Sequence, residues 1–514
     1  MSGERSRRPG RGAAILMAGT LASRITGLLR HSLLNQLFDA RVTDAFTVAW
    51  RVPNLFRELL AEGALSNSFV PVYARLRAAD PNDARRLAGA LLSALILVNA
   101  VLLLVATLAA PWIVDLLLGA EGSVDRDLAV RLTRAVFPFL AAVSLSAWAM
   151  GVLNARERFL APGLAPVALN VVALIGMLAF PGAAVPLAVA FVAGGVAQAL
   201  VQVPALVRAG VAPRPRRPWH PELLGVLVLM APFAITTSGR QAVNLVATRV
   251  LDGLPVGSQT AWFNADLFLS LALGVFAVSP ALAWYARLSN LAGEDPDAFA
   301  PTLREGLGVI AFLTAPAGAL LIALSEPAVR AVFDGLSLVG GGLDDRRLGL
   351  TVAAAGPIGL AVPALGLHQL LSRAWYVRGE VRTPIAVGVA FLTVQATAFA
   401  VLGPRFGVAG LAWGAAGAAW VQLLALGTLT ARRERLNVAA WLGHGVRVAV
   451  AAAAAGAVAA GAASFVPTPD WWGWVARLAA GGTAGVGAYL AFAAALRLPE
   501  VARLTSWRPG RRSG

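Results

Sequence analysis

The chain contains fourteen apolar runs, each long enough to cross a lipid bilayer as a helix, which requires about 20 mostly apolar residues. The runs lie near residues 12–37, 43–71, 87–118, 128–153, 162–181, 184–207, 221–251, 258–286, 305–326, 348–372, 383–402, 406–430, 438–465 and 472–496. Only 14% of the 514 residues are charged. The sequence therefore predicts an all-α polytopic membrane protein with fourteen transmembrane helices, the second of them broken at Pro53 or Gly63.

The distribution of arginine predicts the orientation in the membrane. The chain has no lysine, so its 43 basic residues are all arginines. Cytoplasmic loops of membrane proteins carry an excess of basic residues. With the N-terminus inside, the outer connections hold only Arg41, Arg126, Arg346, Arg347 and Arg405. We therefore expect both termini in the cytoplasm. The first apolar run is too long for a cleaved signal peptide.

The composition excludes several classes of function. There is no cysteine, which excludes disulfides, thiolate metal sites and a catalytic thiol. Without lysine there is neither a Walker A motif nor a Schiff base. The four histidines have no metal-ligand spacing, and the arginines form no stripe with aromatics that would indicate nucleic-acid binding. We expect no enzymatic activity, no metal, no cofactor and no nucleic-acid partner.

A weak internal repeat predicts two lobes. Residues 199–206 resemble residues 419–426, and the loop 156–162 resembles 378–384, at offsets of 220 and 222. Six helices separate the copies, so both halves have the same orientation, a parallel repeat that in transporters places the substrate between two lobes. The alternative is chance similarity between Ala/Leu/Val-rich helices.

The sequence predicts six parts along the chain. They are a basic cytoplasmic N-tail (1–11), an N-lobe of six helices (12–208), a cytoplasmic linker (209–220), a C-lobe of six helices (221–431), two further helices (432–497) and a basic cytoplasmic C-tail (498–514).

The first two runs contain charges in apolar surroundings. These are Arg24, Arg30, Asp44, Arg51, Arg57, Glu58 and Glu62. A charge at the bilayer centre costs from about 2.5 to over 10 kcal/mol, so such groups usually face a watery cavity or one another. Two adjacent spans with cations predict a transporter cavity for an anionic cargo. Alternatively, backbone carbonyls could satisfy Arg24 and Arg30, Arg30 could reach the membrane surface, and Glu58 could form a structural pair with Arg57 or Arg51.

Several segments closely resemble the MurJ (MviN) family of lipid II flippases. The segments are Thr43-Asp44-Ala45-Phe46, Pro53-Asn54-Leu55-Phe56-Arg57, Ala61-Glu62-Gly63-Ala64, Ser23-Arg24-Ile25-Thr26-Gly27, Trp262…Ala265-Asp266 and Tyr376…Pro384. The similarity is collinear over nearly the whole chain. It implies the multidrug/oligosaccharidyl-lipid/polysaccharide exporter fold, with two six-helix lobes and two extra helices that form a groove for a lipid tail.

The resemblance also implies a function. Members move the undecaprenyl-diphosphate-linked disaccharide pentapeptide, lipid II, from the inner to the outer leaflet of the bacterial cytoplasmic membrane for cell wall synthesis. Expected partners are therefore lipid II, the bilayer and peptidoglycan synthesis enzymes. Two alternatives are a flippase or drug exporter of the same superfamily with another cargo, and a non-transporting scaffold for wall synthesis, which would tolerate charge reversal at the buried arginines. An enzyme that acts on the lipid is a third and more distant one.

The family's cavity residues transfer to specific positions of this chain. Arg24, Arg30 and Arg57 match cavity arginines and are expected to bind the diphosphate, since guanidinium groups pair with phosphate in bidentate fashion. Asp44 and Glu62 match acidic positions and are expected to pair with these arginines when the cavity is empty. Arg51 matches an auxiliary basic position.

The chain departs from the family pattern in the eighth predicted helix. Leu267 stands where an arginine is common, and Ser270 where a glutamate is common. Arg240 in the seventh run could replace the missing cation; Arg249 lies on roughly the opposite face. Asp266 is an auxiliary candidate or a capping residue.

A sodium site of some relatives is also altered. Thr248 stands at its acidic position in the seventh helix, and residues 383–402 contain no Asp, Asn or Glu. We therefore expect membrane potential rather than sodium to act on the charged cavity.

Overall fold

The computed structural model describes residues 9–59, 65–119, 122–211, 214–334, 344–468 and 470–506. Every regular element in these ranges is a helix. The first ten are α1 (Pro9–Leu37), α2 (Ala40–Leu59), α3 (Leu65–Ala79), α4 (Pro81–Leu117), α5 (Arg126–Val136), α6 (Pro138–Asn154), α7 (Leu160–Ala179), α8 (Ala184–Leu200), α9 (Val203–Arg208) and α10 (Pro221–Asp252). The others are α11 (Ser258–Leu273), α12 (Ser279–Glu294), α13 (Phe299–Ala323), α14 (Ser325–Phe333), α15 (Asp345–Ile358), α16 (Ala361–Val377), α17 (Arg382–Arg433), α18 (Val438–Ser464), α19 (Trp471–Ala495) and α20 (Pro499–Ser506).

Many of these helices are suited to a membrane. Nine helical segments of the described ranges are long and apolar enough to cross one, or ten if α15 and α16, bent by 45°, form one span. Each predicted apolar run overlaps at least one helix. The prediction of an all-helical, multi-pass membrane protein is thereby confirmed, whereas the number fourteen stays a prediction.

The second predicted run begins as a helix that continues through its proline. Asp39 caps the N-terminus of α2, because its Oδ1 accepts a hydrogen bond of 2.8 Å from the N–H of Val42. The helix then passes Pro53 and ends at Leu59. The alternative break at Gly63 falls outside the described residues.

A single glycine divides the longest helical stretch, α17. Its 52 residues would extend about 78 Å at about 1.5 Å per residue, far beyond a hydrocarbon core of about 30 Å. Gly407, at φ 64° and ψ −148°, interrupts the helical conformation. Backbone of this kind is accessible mainly to glycine. The predicted runs 383–402 and 406–430 lie before and around this kink, so α17 comprises two consecutive helices.

The chain divides into two compact units, one reaching to Gln259 and the other beginning at Thr260. In the first unit, α10 packs on α2, α3 and α4. In the second, α13 packs on α16 and α18, and α18 packs on α19. The lobe boundary inferred from the sequence, in the linker 209–220, stays a prediction.

The predicted repeat has a counterpart in local geometry. The loop after α6 contains Glu157 at φ 56°, and the loop after α16 contains Gly379, 222 residues later, at φ 73°. The helices that follow begin at Leu160 and Arg382, again 222 residues apart. Two loops with a left-handed residue at the same place support an origin by duplication.

Equivalent arginines anchor these two loops. The guanidinium of Arg156 donates to the carbonyl of Ala209, directly after α9. The guanidinium of Arg378 donates to the carboxylate of Glu434, directly after α17, at 2.9 Å. In each unit, therefore, the equivalent loop is hydrogen-bonded to the residue that follows a helix C-terminus.

Candidate functional site

Close packing of α1 against α7 sets the direction of the α1 arginines. A Cβ on Gly19 would lie only 2.6 Å from the carbonyl oxygen of Gly163, so the two backbones are in direct contact. One turn further, Asn170 Nδ2 donates to the carbonyl of Ser23 and to Thr26 Oγ1, both at 3.0 Å. These contacts fix the rotation of α1 about its axis.

Arg30 on α1 is held among groups that leave part of its guanidinium available. Its Nη2 lies 3.0 Å from Nε2 of His31, and its Cζ lies 4.9 Å from the ring centroid of Phe191. Its buried Nε has no hydrogen-bond partner among the described residues. A buried N–H donor without a partner costs about 1–3 kcal/mol, so a bound anion would gain by satisfying it.

An aromatic cluster that includes Phe191 lies against Arg30. Phe191 packs against Phe46 at 4.8 Å and against Trp50 at 4.9 Å between ring centroids, and Trp50 contacts Phe139 at 4.5 Å. The ring face of Phe191 attracts the cation without neutralising it. Sequence reasoning missed this cluster; Phe46 and Trp50, four residues apart on one helix face, were its only local signal.

Arg57, near the end of α2, is a second cation of the first unit. Its Nε donates to Asn54 Oδ1 at 2.9 Å, one turn earlier on the same helix. Helix α2 packs against α1, which carries Arg30. Cations on two adjoining helices favour an anionic ligand.

Arg24 is half-buried and forms no hydrogen bond or ion pair within the described part of the chain. It precedes Arg30 by six residues, which places the two roughly 120° apart around an ideal helix. The structure places Arg30 and Arg57 on two helices in contact, α1 and α2, and among the described residues it shows no side-chain contact between Arg24 and either of them. Joint binding of the diphosphate by Arg24, Arg30 and Arg57, called the diphosphate clamp below, stays a prediction.

Asp44, on α2, is almost fully buried with an exposed fraction of 1%. Its Oδ2 accepts a hydrogen bond of 2.6 Å from the backbone N–H of Gly257. Gly257 has φ 100°, which a side chain would disfavour. The predicted pairing of Asp44 with the arginines stays untested, and Glu62 lies outside the described residues.

Arg51, on α2, contacts Gln259, the residue at which the first unit ends. Its Nη2 donates to Gln259 Oε1 at 3.4 Å, and Gln259 Nε2 donates to the carbonyl of Thr248 at 2.8 Å. The Thr248 hydroxyl in turn donates to the carbonyl of Asn244 at 2.7 Å. Hydrogen bonds thus link Thr248 to Arg51 through Gln259.

The remaining auxiliary candidates are exposed. Arg240 lies on α10, and Arg249 on the same helix donates to the carbonyl of Leu116 at 3.5 Å. Asp266 lies on α11 in the second unit. The roles predicted for Arg240 and Asp266 stay predictions. Within the described residues, no group of three or more His, Asp or Glu side chains could hold a metal ion.

The second unit contains an apolar cavity of about 670 Å³. It is lined by small residues of α13 and α18, such as Ala315 and Ala452, and by Leu367, Trp420 and Trp441. Its walls are almost entirely hydrocarbon, so it suits an apolar chain rather than a charged group.

The chain is similar to proteins of known activity. The family described as "Lipid II flippase MurJ" matches residues 34–475. The lipid II flippase MurJ of Burkholderia cenocepacia is 33% identical over 392 residues, which cover 73% of this chain and 74% of that protein. The probable lipid II flippase MurJ of Bdellovibrio bacteriovorus is 33% identical over 402 residues, 76% of each chain.

Two solved structures share the fold. A lipid II flippase MurJ in an inward closed conformation superposes with a TM-score of 0.78 at 20% identity, covering 95% of this chain and all of that one. An inward-facing MATE transporter of the MOP superfamily superposes with a TM-score of 0.64 at 16% identity, covering 84% of this chain and 99% of that one.

Proposed function

Because the chain belongs to the MurJ family of lipid II flippases, we propose that it moves lipid II from the inner to the outer leaflet of the bacterial cytoplasmic membrane by alternating access. The resemblance to the MurJ family seen in the sequence is confirmed, and the MATE transporter shares the fold. The observation that supports the cargo most directly is Arg30, a cation whose buried Nε has no hydrogen-bond partner among the described residues, on a helix that packs against the one carrying Arg57. A diphosphate supplies the opposite charge and accepts bidentate hydrogen bonds from guanidinium groups.

The three arginines of α1 and α2 have distinct parts in this proposal. Arg30 binds a phosphate oxygen through its unpartnered Nε, while the ring face of Phe191 contacts its guanidinium. Arg57 neutralises the second phosphate, and Arg24 joins them when the cargo enters. Glu62 and Asp44 compete for the arginines after the cargo leaves, which keeps binding weak enough for release.

The apolar cavity of the second unit accommodates part of the isoprenoid tail in this proposal. A chain of hydrocarbon gains about 25 cal/mol for each Å² removed from water. The cavity lies partly against α18, one of the two helices after the predicted C-lobe. A groove at this place would keep the tail in apolar surroundings while the head group crosses.

The proposed topology has fourteen spans with both termini in the cytoplasm. The asymmetric placement of arginine supports it, as does the coincidence of every predicted apolar run with helix. Membrane potential is the proposed energy source, because one charge moved across 100 mV is worth about 2.3 kcal/mol. Peptidoglycan synthesis enzymes are the proposed protein partners.

A complementation experiment tests both the transport of lipid II and the binding of its diphosphate by Arg24, Arg30 and Arg57. A bacterium depleted of its own lipid II flippase receives the wild-type gene, or Arg24→Ala, Arg30→Ala or Arg57→Ala. We expect the wild type to restore growth and each variant to lose it at normal membrane levels. Arg41→Ala is the matched control, since Arg41 is an exposed arginine at the start of α2, and it should support growth.

The outcomes separate the parts of the proposal. If the wild type and all three variants restore growth, the diphosphate clamp is wrong but the cargo stands. If the well-expressed wild type fails, the cargo is a different one, and competition with other undecaprenyl-linked oligosaccharides or with drugs identifies it. Growth supported by charge-reversed variants would instead indicate a scaffold.

A further inference from the structure

A second cationic cavity lies in the first unit, away from α1 and α2. It has a volume of about 300 Å³ between the start of α4, the end of α9 and the linker before α10. Three arginines line it, Arg85 from α4 and Arg214 and Arg216 from the linker, together with Trp148. We propose that this cavity binds a phosphate group, independently of the cargo site on α1 and α2.

The linker is fastened to α4 by its backbone, which builds the wall of the cavity. The N–H of Arg216 donates to Ser93 Oγ at 2.9 Å and to the carbonyl of Gly89 at 3.3 Å. A Cβ on Gly89 would lie 2.8 Å from Cγ of Arg216, so the absence of a side chain there allows the arginine to pass. The position of Arg216 is therefore determined by packing.

Nearby carboxylates are engaged with other cations. Asp83 contacts Arg86 at 2.8 Å and His220 at 3.2 Å, and Glu222 contacts Arg75 at 2.9 Å. Within the described residues, none of the three arginines that line the cavity forms an ion pair. Their mutual repulsion is relieved by a ligand that brings negative charge, and the guanidinium geometry matches phosphate oxygens.

The surroundings indicate where such a phosphate would come from. Val207, which lines the cavity, is 56% exposed, and Trp219 in the linker and Leu224 in the first turn of α10 are 79% and 65% exposed. Exposed aliphatic groups and a tryptophan beside arginines are typical of a membrane–water interface. Basic pockets at the cytoplasmic side bind lipid head groups. A phospholipid of the inner leaflet, in the topology proposed above, could place its phosphate in the cavity and its chains on this surface.

Binding is measured on the purified full chain in detergent, by native mass spectrometry with phosphatidylglycerol and, for comparison, uncharged diacylglycerol. The test variant is Arg85→Gln/Arg214→Gln/Arg216→Gln. The matched control is Arg158→Gln/Arg208→Gln/Arg217→Gln, which removes the same charge from exposed arginines that do not line the cavity. We expect the test variant to bind phosphatidylglycerol about tenfold more weakly or worse, and the control to change less than about threefold.

Competition distinguishes the two sources of phosphate. Displacement of the lipid by millimolar inorganic phosphate or glycerol 3-phosphate would indicate a site for soluble phosphate; retention of the lipid would indicate a head-group site. The single variant Arg214→Gln, in the exposed linker, provides the same test should the triple variant not fold. Equal losses in test and control variants, or equal binding of charged and uncharged lipid by the wild type, would overturn the proposal. Complementation is not the readout, so this result is independent of the cargo assignment.

Discussion

Asp44 on α2 accepts a hydrogen bond of 2.6 Å from the backbone N–H of Gly257, 213 residues further along the chain. The carboxylate is buried, and the N–H belongs to a residue whose φ of 100° favours glycine. This bond ties the second helix to the connection that follows α10. Asp44 therefore has a structural role in addition to its proposed pairing with the cavity arginines.

Replacing Asp44 should therefore lower stability. We expect Asp44→Asn to reduce the free energy of unfolding by about 1 kcal/mol and Asp44→Ala by about 3 kcal/mol, because a charged acceptor contributes more than a neutral one and a lost acceptor leaves the N–H unsatisfied. Thermal unfolding in detergent measures the difference. Asp125→Asn, at the exposed cap of α5, is the control. Unchanged unfolding of Asp44→Ala would contradict the role.

The ring of Phe191 should contribute to cargo binding through Arg30. A cation over an aromatic ring gains about 0.5–2 kcal/mol, so Phe191→Leu should weaken binding of a diphosphate lipid by about two- to thirtyfold. Phe139→Leu removes a ring of the same cluster that does not contact Arg30 and is the matched control. Equal affinities of the two variants, measured with the purified proteins, would show that the ring acts only by packing.

The kink of α17 should depend on the backbone of Gly407. An alanine at its φ of 64° and ψ of −148° would be strained by about 1–3 kcal/mol. Gly407→Ala should therefore lower the unfolding temperature. Gly417→Ala, on the same helix and with open space where a Cβ would stand, should raise it or leave it unchanged, because alanine favours helix by about 1 kcal/mol. The opposite order would mean that the kink has another cause.

A pH dependence is expected at the loop between α16 and α17. A hydrogen bond from Thr383 lowers the pKa of Glu380 below its ordinary value of 4.5, and Arg433, 2.7 Å away, lowers it further. Since the pKa is lower in the folded state, the stabilisation is complete above pH 4.5 and is lost as pH falls through the lowered value.

Glu380→Gln should accordingly flatten the dependence of the unfolding temperature on pH below 4.5. Glu157→Gln, in the corresponding loop of the first unit, controls for the removal of an exposed carboxylate. A steep acid loss that persists unchanged in Glu380→Gln would assign it to other groups.

Most of the fold could be predicted from the sequence, because the signals are local. A run of about 20 apolar residues must satisfy its backbone polar groups by helix formation in a bilayer. The two helices of α17 were predicted as separate runs, 383–402 and 406–430, and the repeat was found from similarity between two helix segments and two loops. The continuity of α2 through Pro53 was not evident, since proline usually ends a helix.

The site was predicted less completely. Charged residues in apolar runs and the family motifs gave Arg30, Arg57 and Asp44 as candidates, and their roles stay predictions. They did not identify Phe191, Asn170 or Gly257, because an aromatic, an amide and a glycine are common in membrane helices and carry no charge signal. The cationic cavity around Arg216 was also missed, since the linker reads only as a basic loop.

The sequence by itself determined the helices, the class of protein and the family, since hydrophobic length and short motifs are properties of neighbouring residues. Only the tertiary structure decided which polar groups meet: Asn170 with Ser23, Asp44 with Gly257, and the arginines of the linker with α4. The physical reason is that a contact between distant residues depends on the rotation and register of packed helices. Those are set by close approaches such as that of Gly19 to Gly163, which no local pattern encodes.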